Sequence, residues 1–285
     1  MNHPHLKIRV SSSEAQQSAS PSPPPSNDGG SRKGFLRMDI PESHPRYLSL
    51  TLRERITQGM KDGLVAPAGL AAHGRGEAFD YLLGEYTIPE AREQARAAAA
   101  ALLLSKSPVI SVNGNSTVLA SVETIELAAE LGAKIEVNLF HSSEERVAKL
   151  VSFFEDKGAS DVLGTNRNSL IPGIDHNRGG CCSKGIYSAD TVLVLLEDGD
   201  RTRALKEMGK LVIAVDLNPL SRTARTCDIP VIDNITRALP EITRKVKEMR
   251  PLSREELKSI IDDFSNDLSL RKVIHTIAER LKKEY

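Results

Sequence analysis

Apolar and polar positions along this chain are patterned on two scales. Five short runs are dominated by apolar, often β-branched residues, and each breaks off into polar ones: residues 108–112 into Asn113-Gly114-Asn115, 134–137 into Asn138, 191–196 into Glu197-Asp198-Gly199-Asp200, 211–215 into Asp216-Leu217-Asn218, and 229–232 into Asp233-Asn234. Continuous Val/Ile/Leu runs suit parallel strands buried on both faces, and ligands of such sheets sit beyond the carboxyl ends. Function is therefore expected at those five polar ends.

Between and before these runs the period lengthens to that of a helix. Leu48, Leu52, Ile56 and Met60 recur every fourth residue and make one apolar stripe, with Arg53 and Arg55 off it. A turn at Pro67 and Gly69 leads into the polar stretch His73-Gly74-Arg75-Gly76-Glu77-Ala78-Phe79-Asp80. Thr87-Ile88-Pro89-Glu90 reads as a capping box opening an alanine-rich helix that ends near Ser105. From there the pattern predicts strand 108–112, helix 121–131, strand 134–140, helix 143–157, strand 191–196, helix 201–208, strands 211–216 and 229–233, and helix 235–249. Alternation of this kind predicts an α/β fold, Rossmann-like and doubly wound, with a mainly parallel sheet, N-terminal helices and a C-terminal helical appendage.

Three regions follow. Residues 1–38 are rich in Ser, Pro, Gln, Asn and Gly and are expected to be a disordered arm, because they bury too little apolar surface to offset the entropy of ordering. Residues 39–249 form the α/β domain. Residues 250–285 form a helical extension, opened by Ser253-Arg254-Glu255-Glu256 and continued by the stripe Leu270, Val273, Ile274, Ile277 and Leu281. Residues 164–185, rich in Gly, Asn and charge, are expected to be a loop over the active site.

Composition narrows the function classes. Lys and Arg (38) balance Asp and Glu (38), so no global field draws the protein to nucleic acid or an anionic membrane. Trp is absent and aromatic residues are 4% of the 285, which argues against stacking platforms for single strands. The N-terminus lacks the apolar run of a signal peptide, and no stretch is apolar for about 18 residues. A cytoplasmic protein is expected. Three cysteines (Cys181, Cys182, Cys227) do not make a disulfide framework, and adjacent Cys181 and Cys182 near His176 lack the paired spacing of a zinc site.

The strand-end clusters carry the candidate chemistry. Asp216-Leu217-Asn218-Pro219-Leu220-Ser221-Arg222-Thr223 brings together groups a nucleotide needs, with Asp or Asn for ribose hydroxyls and Arg with turn N–H groups for phosphate; an Asx-turn is the plain alternative. Asp233-Asn234-Ile235 repeats the arrangement and doubles as a helix N-cap. In His73–Glu77 the glycines permit close backbone approach to a ligand and Arg75 can fork onto phosphate. Glu197, Asp198 and Asp200 follow the central strand; Asp198 or Asp200 could share Mg²⁺ with a triphosphate, while helix capping is the bland role. Neither a GxxxxGK[ST] loop nor a strand-GxGxxG-helix fingerprint occurs. The residues alone leave open a Rossmann-type nicotinamide-dependent oxidoreductase, with Asp216 on ribose, and a non-catalytic ATP sensor.

Residues 40–249 also resemble the archaeal phosphopantothenate synthetases, the 4-phosphopantoate–beta-alanine ligases. The likeness rests on residues 40–47 (Ile-Pro-Glu-Ser-His-Pro-Arg-Tyr), 73–80, 109–115, 134–140, 196–202, 215–223 and 233–235. It implies an ATP-dependent, homodimeric ligase of coenzyme A biosynthesis that joins 4-phosphopantoate to beta-alanine through an acyl-adenylate, with Mg²⁺ carried by ATP and neither nucleic acid nor membrane as partner. By resemblance, ATP is held by Arg53, Arg75, Asp216, Leu217, Asn218, Arg222, Thr223, Asn234 and Ile235. Candidates for the other substrates are His73, Asn113, Asn138, Arg178 and Lys184. The chain departs from the family in having His141-Ser142 after Asn-Leu-Phe, and in its cysteine pair.

Overall fold

All five apolar runs become strands of one parallel sheet, because residues flanked by apolar neighbours on both faces lose nothing by complete burial. The computed structural model describes residues 40–284 except His141 and His176, and the arm expected over 1–38 lies outside them. The strands are β1 (Pro108–Val112), β2 (Lys134–Val137), β5 (Thr191–Leu195), β6 (Leu211–Asp216) and β7 (Ile229–Ile232); a separate two-residue antiparallel pair consists of β3 (Ser169–Leu170) and β4 (Gly180–Cys181). The order is β2-β1-β5-β6-β7, with every neighbouring pair parallel. Successive strands are added first on one side of β1 and then on the other. The carboxyl ends of β1 and β5 thus flank the topological switch point, where an open α/β sheet leaves a crevice.

Side-chain alternation divides the core in two. Ile110, Val112, Leu193, Leu195, Ile213 and Val215 face α3 (Pro89–Leu104), α4 (Gly114–Leu131) and α8 (Ile235–Met249), with α1 (Tyr47–Lys61) and α5 (Glu144–Glu155) extending this layer. Val109, Val192, Val194, Val212 and Ala214 face the opposite side, against Ala204 and Leu205 of α6 (Gly199–Glu207) and against Ile171, Ile174, Cys181 and Ile186. The segment expected to be a mere loop over the site therefore contributes a wall of the core. It contains the β3–β4 pair, a 3₁₀ turn at Asn177–Gly179 and a π-type turn at Ser183–Tyr187.

Three helices differ from the sequence reading. The turn expected at Pro67 and Gly69 is instead the start of α2 (Pro67–Leu83), whose middle holds the stretch from His73 to Asp80 and whose end is closed by Gly84 in the left-handed region. Within the protein neither Gly74 nor Gly76 is crowded, since a Cβ at Gly74 would meet nothing within 4 Å and at Gly76 only Leu217 Cδ1 at 3.6 Å. Gly69, by contrast, is required: a Cβ there would collide with the Asn115 side-chain oxygen. Next, Thr87 does not cap α3. Ile88 is the N-cap without a side-chain bond, and Thr87 Oγ1 donates to Asp233 Oδ2 at 2.6 Å.

The third difference concerns α4, which begins at Gly114 and not near Ser121. Asn113 and Ser116 form its capping box, and it kinks at Ala120 (φ −147°, ψ 40°). The freed carbonyls are taken by Arg55 Nη1 on Leu119 O (3.2 Å) and Thr124 Oγ1 on Ala120 O (2.7 Å), which is why the break persists. The sequence pattern had located only the segment after the kink.

Residues 40–285 form one unit. Within it α9 (Arg254–Asp262) and α10 (Asn266–Glu284) lie outside the sheet yet are packed onto the domain. Leu270 and Val273 join Leu217, Ala224 and Ile232 in a third apolar cluster, and Asn266 Nδ2 donates to Ala224 O (3.0 Å) and Cys227 O (2.5 Å). No helix of the described residues is long and apolar enough to cross a membrane.

Candidate active site

A cavity of about 790 Å³ opens at the switch point. The ends of β1, β5, β6 and β7 supply Asn113, Leu196–Gly199, Asp216–Asn218 and Asn234–Ile235; α2 supplies His73, Arg75, Glu77 and Asp80; Arg222 and Thr223 come from α7 (Arg222–Thr226). Arg146 and Arg178 add two further cations to a lining that also holds several carboxylates. Residues as distant in sequence as Leu48 and Ile235 thus converge on one crevice, as the strand-end pattern predicted.

Most of the polar strand-end side chains are occupied in building that crevice. Asp216 Oδ1 accepts from Asn218 N (3.0 Å) and its Oδ2 from Ser221 Oγ (2.5 Å), while Asn218 Oδ1 accepts from Leu220 N (2.8 Å). Two successive Asx-type turns fold the loop after β6, and burial pushes the Asp216 carboxyl above its ordinary range. Asn113 caps α4 with its oxygen and donates its amide to Leu195 O (2.9 Å) and Leu196 O (3.0 Å), stitching β1 to β5. Asn234 caps α8 by accepting from Thr236 N (3.1 Å) and donates to Asp80 Oδ2 (2.8 Å). These side chains are thereby held in fixed positions at the cavity edge.

The turn after β5 is the most constrained part. Leu196 has φ +54°, a conformation that side-chain sterics disfavour. Asn113 holds its carbonyl, and Thr223 Oγ1 holds that of Glu197 at 2.8 Å. Glu197, its side chain 2% exposed, is shared by two arginines, Arg178 and the fully buried Arg201, whose Nη1 also donates to Ser111 Oγ at 3.1 Å. Asp198 pairs with Arg178 while capping α6 through Arg201 N (3.0 Å). Burial, with the neighbouring Arg201 charge, brings the Arg178 pKa down to about 10 despite Asp198. Its guanidinium lies 5.8 Å from the Phe140 ring centroid.

Across the cavity the cations are more open. Arg75 is exposed on α2, and exposed Arg222 pairs with Asp200, whose carboxyl is held below its ordinary range by that bond. His73 has an Nε2 atom shielded from solvent with no partner among the described residues, and burial lowers its pKa, so the neutral ring is favoured. Among the described residues no group of three or more His, Cys, Asp or Glu could hold a metal ion.

Four of the sequence candidates lie outside the lining. Arg53 bonds Glu77 (Nε to Oε2 2.9 Å) and Tyr81 OH (3.2 Å). Asn138 is buried and donates to Gly180 O (2.9 Å), which anchors the segment bearing Arg178. Lys184 offers only its carbonyl, to Lys134 Nζ (2.6 Å). Asp200 reaches the site through Arg222. Conversely, Arg146, Asp80 and Glu197 line the cavity, while Arg201 and Arg237 brace it from behind. Asp80 and Glu197 fell within motifs already singled out; nothing in the local pattern marked Arg146 or Arg237. All three cysteines are free and buried, and burial raises Cys181 and Cys182 to about 11, so neither is a ready nucleophile.

A parallel sheet with a partly desolvated crevice at its switch point, lined by arginines and carboxylates together, is the arrangement in which α/β enzymes bind small ligands. The chain belongs to the phosphopantothenate/pantothenate synthetase family, whose model matches residues 90–280. It is 52% identical over 247 residues to the 4-phosphopantoate–beta-alanine ligase of Thermococcus kodakarensis, covering 86% of this chain and 95% of that protein. The proteins of the same name from Methanosarcina mazei (49% over 244 residues, 86% and 96% covered) and Methanospirillum hungatei (49% over 242, 85% and 98%) are similar to it as well. The family match runs through α9 and most of α10, so the helices beyond Arg250 belong to it too. Membership in a ligase family supersedes the oxidoreductase and sensor readings.

Proposed function

We propose that this chain is a 4-phosphopantoate–beta-alanine ligase, that its reaction takes place in the switch-point cavity, and that it works as a cytoplasmic homodimer. The observation that carries the reading is the near-full-length likeness to ligases of that name, on a chain whose cavity gathers Arg75, Arg146, Arg178 and Arg222. Joining a phosphorylated acid to a triphosphate brings two polyanions together, and those guanidinium groups supply the opposing charge.

A carboxylate oxygen of 4-phosphopantoate attacks the α-phosphorus of ATP. The bond from that phosphorus to its bridging oxygen breaks, and pyrophosphate leaves with its electron pair. The amine of beta-alanine then attacks the acyl carbon, AMP departs, and the new amide nitrogen loses a proton. Arg75, the turn at Asp216–Asn218, Arg222, Thr223 and the backbone of Asn234 and Ile235 hold ATP, and Arg53 contributes by fixing Glu77. Arg178, already seated on the cavity wall, takes the phosphate of phosphopantoate. Mg²⁺ carried by the triphosphate would shield its charge, and Asp198, one of the carboxylates lining the cavity, would be the protein group to hold it. Catalysis is then chiefly orientation and electrostatics.

Purified protein given ATP, Mg²⁺, 4-phosphopantoate and beta-alanine should form phosphopantothenate with AMP. ADP as the product would overturn the adenylate route, and no phosphopantothenate would overturn the assignment. Arg75→Ala should raise the KM for ATP more than tenfold, as loss of a charged hydrogen bond worth about 1.5–3 kcal/mol requires. A molar mass of one chain in solution would exclude the dimer.

A further inference from the structure

One buried charge cluster at the cavity wall has no part in the scheme above. Asp80 on α2 accepts from Asn234 Nδ2 (2.8 Å) and from Arg237 Nη2 (2.5 Å) and Nη1 (3.3 Å). Arg237, on the first turn of α8, also donates from Nε (2.9 Å) and Nη2 (2.6 Å) to Asp233 Oδ1, which in turn accepts from Asn234 N (2.8 Å). The other Asp233 oxygen accepts from Thr87 Oγ1 (2.6 Å), ahead of α3. Four stretches of chain, namely α2, the approach to α3, the end of β7 and the start of α8, are tied together at one guanidinium.

Asp80 is 5% exposed and Asp233 1%. Burial would lower the Arg237 pKa, and the two carboxylates more than offset it. The Asn234 side chain is fixed at both ends, because its oxygen caps α8 and its nitrogen donates to Asp80. The positions of its side chain and of its backbone N–H, which donates to Asp233, are both set by the cluster that Arg237 joins. Since Asp80 sits five residues beyond Arg75 on the same helix, the cluster also fixes where the Arg75-bearing helix stands relative to the β7 end.

We infer that Asp80 and Arg237 are positioning residues for the nucleotide: their paired charges hold the Arg75 helix and the Asn234–Ile235 backbone at the separation that ATP spans. Neither touches the reacting atoms. The inference rests on the proposal that ATP occupies this cavity, and the two can fail separately.

Equilibrium titration of the full-length chain with Mg-ATP, alongside steady-state kinetics, tests it on Asp80→Asn and Arg237→Lys. Asn keeps an acceptor but loses the charge; Lys keeps the charge but cannot fork onto two carboxylates. Both variants should melt cooperatively, with the Kd and KM for ATP raised at least tenfold, kcat lowered less than threefold, and KM for 4-phosphopantoate unchanged. The double variant should be no worse than the weaker-binding single one, because both remove one unit. ATP affinity within twofold of wild type in a folded variant would overturn the inference, as would equal losses for both substrates. If neither variant folds, the cluster is a determinant of the fold and the inference is equally lost. Absence of ATP binding by the wild-type protein would instead refute the functional proposal.

Discussion

The two rims of the crevice are built on opposite principles. Beyond β5, charge is buried: Glu197 and Arg201 are almost wholly enclosed, Arg178 nearly so, and the backbone at Leu196 is held in a disfavoured conformation by bonds from Asn113. Beyond β6 the loop is folded by its own short side chains, and its cation, Arg222, stands in solvent beside Asp200. A charge without water must be paired at almost any cost, whereas a charge in water gains little from its partner. The first rim is thereby tied by buried ion pairs, and the second by an exposed one.

The contrast is sharpest at Glu197. Glu197→Gln leaves Arg178 and Arg201 facing one carboxylate fewer in a dry setting, and unfolding by urea should register a loss of about 3–5 kcal/mol. A loss under about 1 kcal/mol would place this rim in the same energetic class as the exposed one.

A smaller effect is expected at His73, on the open side but half buried. Its folded pKa lies below the 6.5 of the free side chain, so its contribution to stability is complete above that pH and is lost as pH falls through the folded value. His73→Gln should therefore flatten the decline in urea midpoint between pH 7 and pH 5. Identical declines in both proteins would show that the ring is not desolvated.

Smallest of all is Asp200→Asn. The pair with Arg222 is exposed on both sides, so the melting midpoint should not move measurably. A clear drop would mean that this rim is as rigid as the other.

Much of the fold was legible because it depends on local periodicity. The five strands, the stripe of α1 and the helix 235–249 follow from which neighbours are apolar, and their ends fell within a residue or two, save β2, which stops three residues short. The errors share a cause. Pro67 and Gly69 looked like a turn because Pro and Gly outweigh helix propensity in a short window, yet Pro is tolerated in a first turn and the Ala and Leu residues that follow carry the helix through. Thr87 looked like a cap because its spacing to Glu90 is right, but Asp233, 146 residues away, competes for its hydroxyl and wins. The kink in α4 depends on Arg55 from another helix.

The candidate site shows the same division. Sequence alone determined that polar groups collect at the carboxyl ends of parallel strands, because strand direction and burial follow from residue type and order. Only tertiary structure decided what each group does there: that Asn113, Asp216 and Asn234 close turns and caps, that Glu197 joins two arginines, that Arg146 reaches the crevice and that Arg237 braces it from behind. A side chain's partners are set by which distant residues share its few ångströms, and burial then decides how strongly it must bind them. Neither quantity exists until the chain has folded.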